Sequence, residues 1–266
     1  MPTVLFGDSI GKGITNHHQK LTLTAISPID FLYQTYRIPI INMTSIGQTL
    51  KRLHEKKIIQ RYLDTMDGTQ NHYVAFAIGG NDADYDWASV AETPDFPHPS
   101  KTPLDLFESL LTQYVKAFKS KGAKVVLMTT VPLISVRYFN QVIAKVANPT
   151  QILRFFNGDV EMISRHQESY SHVIAKIAYQ QDCILIDFRT PLLQHPKFND
   201  LISIDGVHPI QAGYDFIHEI LQKAIVCEKR LINWFNEESH SMVKNVLNLS
   251  SPDQQLDKAR HLKHVD

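Results

Sequence analysis

"VLFGDSIGKGIT", Val4 to Thr15, is the stretch on which the reading of this chain turns. An apolar run ends in a Gly-Asp-Ser-Ile-Gly-Lys turn, a pattern that suits either a phosphate-cradling loop or a turn presenting a reactive serine. A phosphate loop of the G-x-x-x-x-G-K-[ST] type needs four residues between its glycines and a hydroxyl after the lysine. Here only Asp8, Ser9 and Ile10 separate Gly7 from Gly11, and Gly13 follows Lys12. A dinucleotide fingerprint would need a third glycine or alanine where Asn16 stands. Both nucleotide readings fail on geometry. What remains is Ser9 just past a buried strand, on a turn expected to lead into a helix. Two roles fit that place. Ser9 either exposes its Oγ beside converging backbone N–H groups, or caps the helix that follows, as Asp8 also could.

Around this stretch, short apolar runs alternate with helical stripes. Thr3–Phe6, Ile38–Met43, Tyr73–Ile78, Lys124–Thr130 and Cys183–Phe188 are nearly continuously apolar, as strands are when helices cover both faces of a parallel sheet. Helices are expected over 48–66, over 105–120 with Leu106, Leu110, Leu111, Tyr114 and Phe118 as the stripe, over about 150–180, and from Pro209 to Cys227. The alternation predicts a three-layer α/β/α sandwich. Two insertions, Ala83–Pro103 and Pro132–Pro149, leave the C-terminal ends of strands, where open α/β sheets bind ligands. The segment from Glu228 onward reads as a helical extension packed on the body or at a homodimer contact. The expected division is therefore a catalytic body over 1–228 and an extension over 229–266.

The 266 residues, 43% hydrophobic and 20% charged, suffice for one large domain with a full core. Twenty-seven basic residues balance 27 acidic ones. No global attraction to nucleic acid or to an anionic membrane follows, and neither is an expected partner. "KRLHEKK" at 51–57 reads as a solvated helix face. Cys183 and Cys227 are too few for a disulfide framework or a zinc site and read as buried, inert thiols. No apolar run reaches the roughly 18 residues that span a bilayer. The first strand begins too early for a signal peptide, so a cytoplasmic location is expected.

Three further segments bear on Ser9. "DGVHP" sets His208 on a short rigid loop at a helix entrance, with Asp205 three residues earlier able to accept its Nδ1–H. Nε2 could then take the Ser9 proton, although a surface histidine beside an Asx turn fits the same residues. "AFAIGGND" puts Gly79, Gly80 and Asn81 after the third strand, offering close backbone approach and a neutral amide donor, or an ordinary turn. "NMTSIGQTL" leaves Gly47 before a helix with a free N–H. All four segments fall at one edge of the sheet. Ser9 would be the nucleophile, His208 the base and acid, and Asp205 the orienting carboxylate. The N–H groups of Ser9 and Gly47 and the Asn81 amide would form an oxyanion hole.

With these residues in family order, the chain resembles the SGNH hydrolases, also called the GDSL esterase/lipase superfamily. The blocks are "FGDSI", "SIGQT", "GGND" and "DGVHP", spanning residues 6–209. The resemblance implies a flavodoxin-like fold with a five-stranded parallel sheet, and cofactor-free, metal-independent hydrolysis through an acyl-enzyme. The first block ends Ser-Ile rather than Ser-Leu, a volume-conserving change. The segment beyond residue 228 matches no family block.

The resemblance leaves the substrate open, since one fold hosts many activities. Tyr85, Trp87 and Phe96, interleaved with Asp84, Asp86, Glu92 and Asp95, fit a polar stacking surface or the packing of a loop onto the body. The first reading points to a small acyl group, such as acetyl, on a polar or sugar-like alcohol. The alternatives are a lysophospholipase or thioesterase of the same family, or a non-catalytic ligand-binding relative. Asp8, Gly80, Tyr85, Trp87 and Val207 are the candidate substrate contacts. Asp82, Asp84 and Asp86 alternate in the manner of a cation site, but read as solvated loop carboxylates. His17 and His18 read as surface residues rather than the pocket rim.

Overall fold

The apolar runs become the strands of a parallel sheet, because backbone hydrogen bonds between strands satisfy their polar groups while both side-chain faces enter the core. The computed structural model describes residues 3–17, 19–68, 72–228 and 231. β1 (Thr3–Gly7) is followed by a hairpin of β2 (Ile14–His17) and β3 (Lys20–Leu23), then by α1 (Pro28–Tyr36) and β4 (Ile40–Thr44). Two short helices, α2 (Leu50–Glu55) and α3 (Ile58–Asp64), lead to β5 (Tyr73–Ala77). α4 (Trp87–Glu92) and the long α5 (Leu104–Ser120) precede β6 (Lys124–Met128). Then come α6 (Ser135–Tyr138), a π-helical turn (Phe139–Ile143), α7 (Ala144–Val146), α8 (Pro149–Phe155) and α9 (Met162–Gln180). β7 (Ile184–Ile186), α10 (Arg189–Gln194), α11 (Phe198–Leu201) and α12 (Gln211–Cys227) follow.

The sheet order is β4-β1-β5-β6-β7, every neighbouring pair parallel. The chain runs from β1 outward to β4 and then crosses to β5 on the other side of β1. That reversal opens a crevice above the C-terminal end of β1, the place where such sheets hold ligands. Alternation along β1 sends Val4 and Phe6 into one core and Leu5 into the other. The first core contains α5 residues such as Phe107 and Phe118 and Ile177 of α9; the second contains Tyr214, Ile217 and Leu221 of α12. A third cluster, with Trp87, Val90, Phe139, Ile143, Ile152 and Phe156, is built largely from the two insertions and the helix after them.

Several local expectations are corrected. Ser9 leads not into a helix but into the β2–β3 hairpin. The expected helix over 48–66 breaks at Lys57, whose φ of 53° is left-handed, and the one over 150–180 breaks at Asn157 and Gly158, with φ 53° and 82°. β4 is an edge strand, so its middle residues Ile41, Asn42 and Met43 are exposed rather than buried. In α5 the buried stripe starts at Phe107, while Leu106 faces outward. Pro209 bridges to Ile202, and α12 begins two residues later with Ile210 as its cap. Cys183 is buried as expected but Cys227 is exposed. The proposed extension lies outside the described residues except for Leu231, which is buried in the second core. No helix among the described residues is long and apolar enough to cross a membrane.

Candidate active site

β1 ends by pairing the Asp8 N–H with the Ala77 carbonyl at 3.2 Å, which fixes the direction in which the chain leaves the sheet. The Asp8 carboxylate then accepts the Ile10 N–H at 2.9 Å, and the Ser9 carbonyl accepts the Ile14 N–H at 2.9 Å. These bonds close a tight turn with Ser9 at its top. Asp8 is buried, and that burial pushes its carboxyl up to about 6, against the opposing pull of the Ile10 N–H and the nearby His208.

The loop from Ser203 to Pro209 is closed by the Ser203 N–H, which donates to the His208 carbonyl at 2.8 Å. Asp205 organises its interior. Oδ1 accepts from the Ser203 hydroxyl at 2.6 Å, the Val207 N–H at 2.9 Å and the His208 N–H at 3.0 Å. Oδ2 accepts from His208 Nδ1 at 2.8 Å and from Asn16 Nδ2 at 2.9 Å. Burial by itself would raise the Asp205 carboxyl, but the hydrogen bond and charge of His208 and the Ser203 hydroxyl hold it well below the usual carboxylate range. An ionised carboxylate only accepts, so Nδ1 of the neutral imidazole carries its proton and Nε2 is left as an acceptor. His208 Nε2 lies 3.0 Å from Ser9 Oγ, across 199 positions of sequence. The serine, imidazole and carboxylate therefore form one continuous hydrogen-bonded line.

Gly47 follows β4 with a φ of 69°, a left-handed conformation that a side chain would strain. Among the described residues, the Ser9 N–H, the Gly47 N–H and the Asn81 side-chain amide have no hydrogen-bond partner. All three residues line one cavity of about 380 Å³, together with His208 and Asp205. Asp8, Gly80, Tyr85, Trp87 and Val207 line the same cavity. Every residue singled out from the sequence for this site is thus brought to one place.

The loop after Asn81 differs from expectation. Asp84 accepts from Trp87 Nε1 at 2.9 Å, the Tyr138 hydroxyl at 2.9 Å and Lys101 Nζ at 2.6 Å, while Asp86 caps α4. Asp82 is fully buried and accepts the Leu50 N–H at 2.8 Å. Asp82 and Asp84 are therefore structural rather than solvated, whereas Asp86 caps its helix from an exposed position, as expected of a loop carboxylate. Tyr85 packs against Trp87 and Phe155, with centroids 5.2 Å and 5.6 Å away, so the aromatics anchor the loop while walling the cavity. Phe96 is 66% exposed and stands apart from them. His17 ends β2 on the surface, and His18 lies outside the described residues.

Sequence reasoning missed Asn16, which it used only to reject a nucleotide fingerprint, and Ser203. The Ser-x-Asp spacing of Ser203 and Asp205 is a local signal that could have been read. Nothing local announces Asn16, because its partner is 189 positions away. Gln167 was also missed; it lines the cavity, donates to the Val131 carbonyl at 3.1 Å and accepts from Arg189 at 2.9 Å.

Comparison with known proteins adds a family to this geometry. No curated protein matches the chain. Among solved structures, a lipase/acylhydrolase from Enterococcus faecalis is 20% identical with a TM-score of 0.51, over 85% of this chain and 95% of that one. Axe2, an acetylxylan esterase from Geobacillus stearothermophilus, is 19% identical with a TM-score of 0.55, over 84% of this chain and 93% of its own. An acetyl xylan esterase, AlAXEase, is 18% identical with a TM-score of 0.55, over 85% of this chain and all 100% of its own. At such identities the likeness is one of fold. The sequence pattern of GDSL-like lipases and acylhydrolases, however, matches residues 3–221, and on that match the chain belongs to the GDSL-like lipase/acylhydrolase family and is a hydrolase of ester bonds.

Proposed function

We propose that the chain cleaves carboxylic esters through a covalent acyl-enzyme, with Ser9 as nucleophile, His208 as general base and acid, and Asp205 as the orienting carboxylate. The observation that carries this reading is the line from Ser9 Oγ through His208 to Asp205, with bonds of 3.0 and 2.8 Å. His208 Nε2 takes the hydroxyl proton as Ser9 Oγ attacks the ester carbonyl carbon, and Asp205 stabilises the imidazolium so formed. The carbonyl oxygen becomes an oxyanion, held by the N–H groups of Ser9 and Gly47 and the Asn81 amide, which have no competing partners among the described residues. Collapse expels the alcohol, which leaves with the proton from Nε2. Water then attacks the acyl-enzyme, passes a proton to Nε2, and the acid departs as that proton returns to Ser9 Oγ.

The acyl group in this reading is small, such as acetyl, on a polar or sugar-like alcohol; two structural neighbours are named acetylxylan esterases. One observation favours a longer chain, as in a lysophospholipase or thioesterase. The cavity wall includes Leu5, Ile29, Leu32, Ile217 and Leu221, which reach into the layer between the sheet and α1 and α12. Each methylene buried there would contribute about 0.8 kcal/mol. Rates on aryl esters of increasing chain length separate the two: a fall beyond acetate supports the small acyl group, and a rise supports the longer one. Ser9→Ala should lower kcat/KM by at least about 10⁴-fold and abolish labelling by a fluorophosphonate. Full activity in that variant ends the reading.

A further inference from the structure

The proposed oxyanion hole draws two donors from strands that do not touch. β4 leads to Gly47 and β5 leads to Asn81, and β1 lies between them in the sheet. Sheet pairing sets where these strands end but not how far apart the loops above them stand. One buried side chain spans that gap. Asp82, the residue after Asn81, is fully buried, and its Oδ1 accepts the Leu50 N–H at 2.8 Å. Leu50 is the first residue of α2 and lies three positions after Gly47, with the intervening Gln48 and Thr49 both buried.

Both ends of this strut are held. On the α2 side, the Leu50 N–H is one of those a helix start leaves unpaired, and the Thr49 hydroxyl takes another, from Arg52 at 3.1 Å. On the Asn81 side, the Asp82 carbonyl accepts the Thr102 N–H at 3.1 Å, and the Asp84 carbonyl accepts the Lys101 N–H at 2.7 Å. The Ala83 N–H donates to the Gly79 carbonyl at 3.1 Å, closing the turn that carries Asn81. Removing the carboxylate would leave the Leu50 N–H buried and unpaired, so the two loops would have to move for that group to find a partner.

We propose that Asp82 is a positioning residue that sets the distance between the Asn81 amide and the Gly47 N–H. The inference rests on the oxyanion-hole reading of those two donors. Such donors meet the charge that develops on the carbonyl oxygen, so their spacing governs the transition state more than the bound ester.

The test is steady-state kinetics on an aryl acetate, with a thermal melt of each variant, for Asp82→Ala, Asp82→Asn, Asn81→Ala and the Asn81→Ala/Asp82→Ala double variant. Asp82→Ala should lose about 10²-fold in kcat with little change in KM. Asp82→Asn keeps the Oδ1 acceptor and should recover most of that loss. In the Asn81→Ala background the same alanine should cost several-fold less, because one of the two donors it positions is already gone. An equal cost in both backgrounds, a loss confined to KM or to melting temperature, or an asparagine variant as poor as the alanine one overturns the inference. If Asp82→Ala does not fold, Asp82→Glu carries the test, since it keeps the acceptor but lengthens the strut; kcat should fall about tenfold, and an unchanged kcat overturns the inference. Wild-type kcat in Asn81→Ala would instead sink the oxyanion-hole reading. A loss in Asn81→Ala with none in Asp82→Ala would sink only the positioning role.

Discussion

Asp205 uses its two oxygens for different tasks. Oδ2 holds the imidazole and Asn16, while Oδ1 gathers the Ser203 hydroxyl and the N–H groups of Val207 and His208. Replacement by asparagine puts an NH₂ where one acceptor was, so either the imidazole or the loop loses its partner. In the proposed mechanism, Asp205→Asn should lower kcat by about 10⁴-fold through the wrong imidazole tautomer, with a lower melting temperature as well. Parallel kinetics and melts check this, and a kcat within tenfold of wild type would remove Asp205 from the orienting role. The Asp-x-x-His spacing made this pair readable, because three residues of loop let a carboxylate turn back on its own chain. Ser9, Gly47 and Asn81 were readable for a similar reason: each is a small or polar residue following an apolar run. Asn16 was not, since it is one polar residue on a hairpin whose existence no strong alternation foretold.

At the scale of elements, turns with unusual backbone decide where helices stop and loops point. Gly206 has a φ of 77°, and a Cβ there would sit 2.6 Å from the Ile134 carbonyl oxygen and 2.7 Å from the Tyr138 nitrogen. The Ile134 N–H donates to the Gly206 carbonyl at 2.8 Å, so the Asp205–His208 loop is pressed directly on the start of α6. Gly206→Ala should therefore destabilise the fold by about 2–4 kcal/mol, from left-handed strain plus overpacking. It should also lower kcat by displacing His208. Denaturant melts read the first effect and ester turnover the second; unchanged stability would contradict this packing. A glycine after an aspartate is readable as a turn, but the backbone that crowds it comes from some 70 positions earlier. The breaks at Lys57 and at Asn157–Gly158 escaped the periodicity for a related reason: apolar spacing survives on both sides of a short break. β4 misled in the opposite direction. Its apolar residues resemble those of a central strand, and only the sheet order makes it an edge.

At the scale of the whole molecule, three carboxylates near the C-terminal edge of the sheet respond oppositely to their surroundings. Burial pushes Asp8 up to about 6 and Asp82 to about 7, whereas Asp205, although desolvated, is held low chiefly by His208. A carboxyl raised by folding binds its proton more tightly in the native state. Its stabilising contribution is complete below the unfolded value near 4 and is lost as pH rises through 6 to 7. The contribution of Asp205 has the opposite sign: it is present across that window and lost only under stronger acid. Asp82→Asn should therefore gain in melting temperature relative to wild type between pH 5 and pH 8, by thermal melts at both. A difference that is the same at both values would mean that Asp82 does not titrate in this window. By itself the sequence determined the sheet, the order of its layers and the residues gathered at its C-terminal edge, because apolar periodicity and short-range spacing are properties of neighbouring residues. Only the tertiary structure decided that Asn16 reaches Asp205, that Asp82 ties α2 to the Asn81 loop, and that Asp84 gathers Trp87, Lys101 and the Tyr138 hydroxyl. Each of those depends on which distant backbone groups need a partner once water is excluded, and that is settled when the layers close.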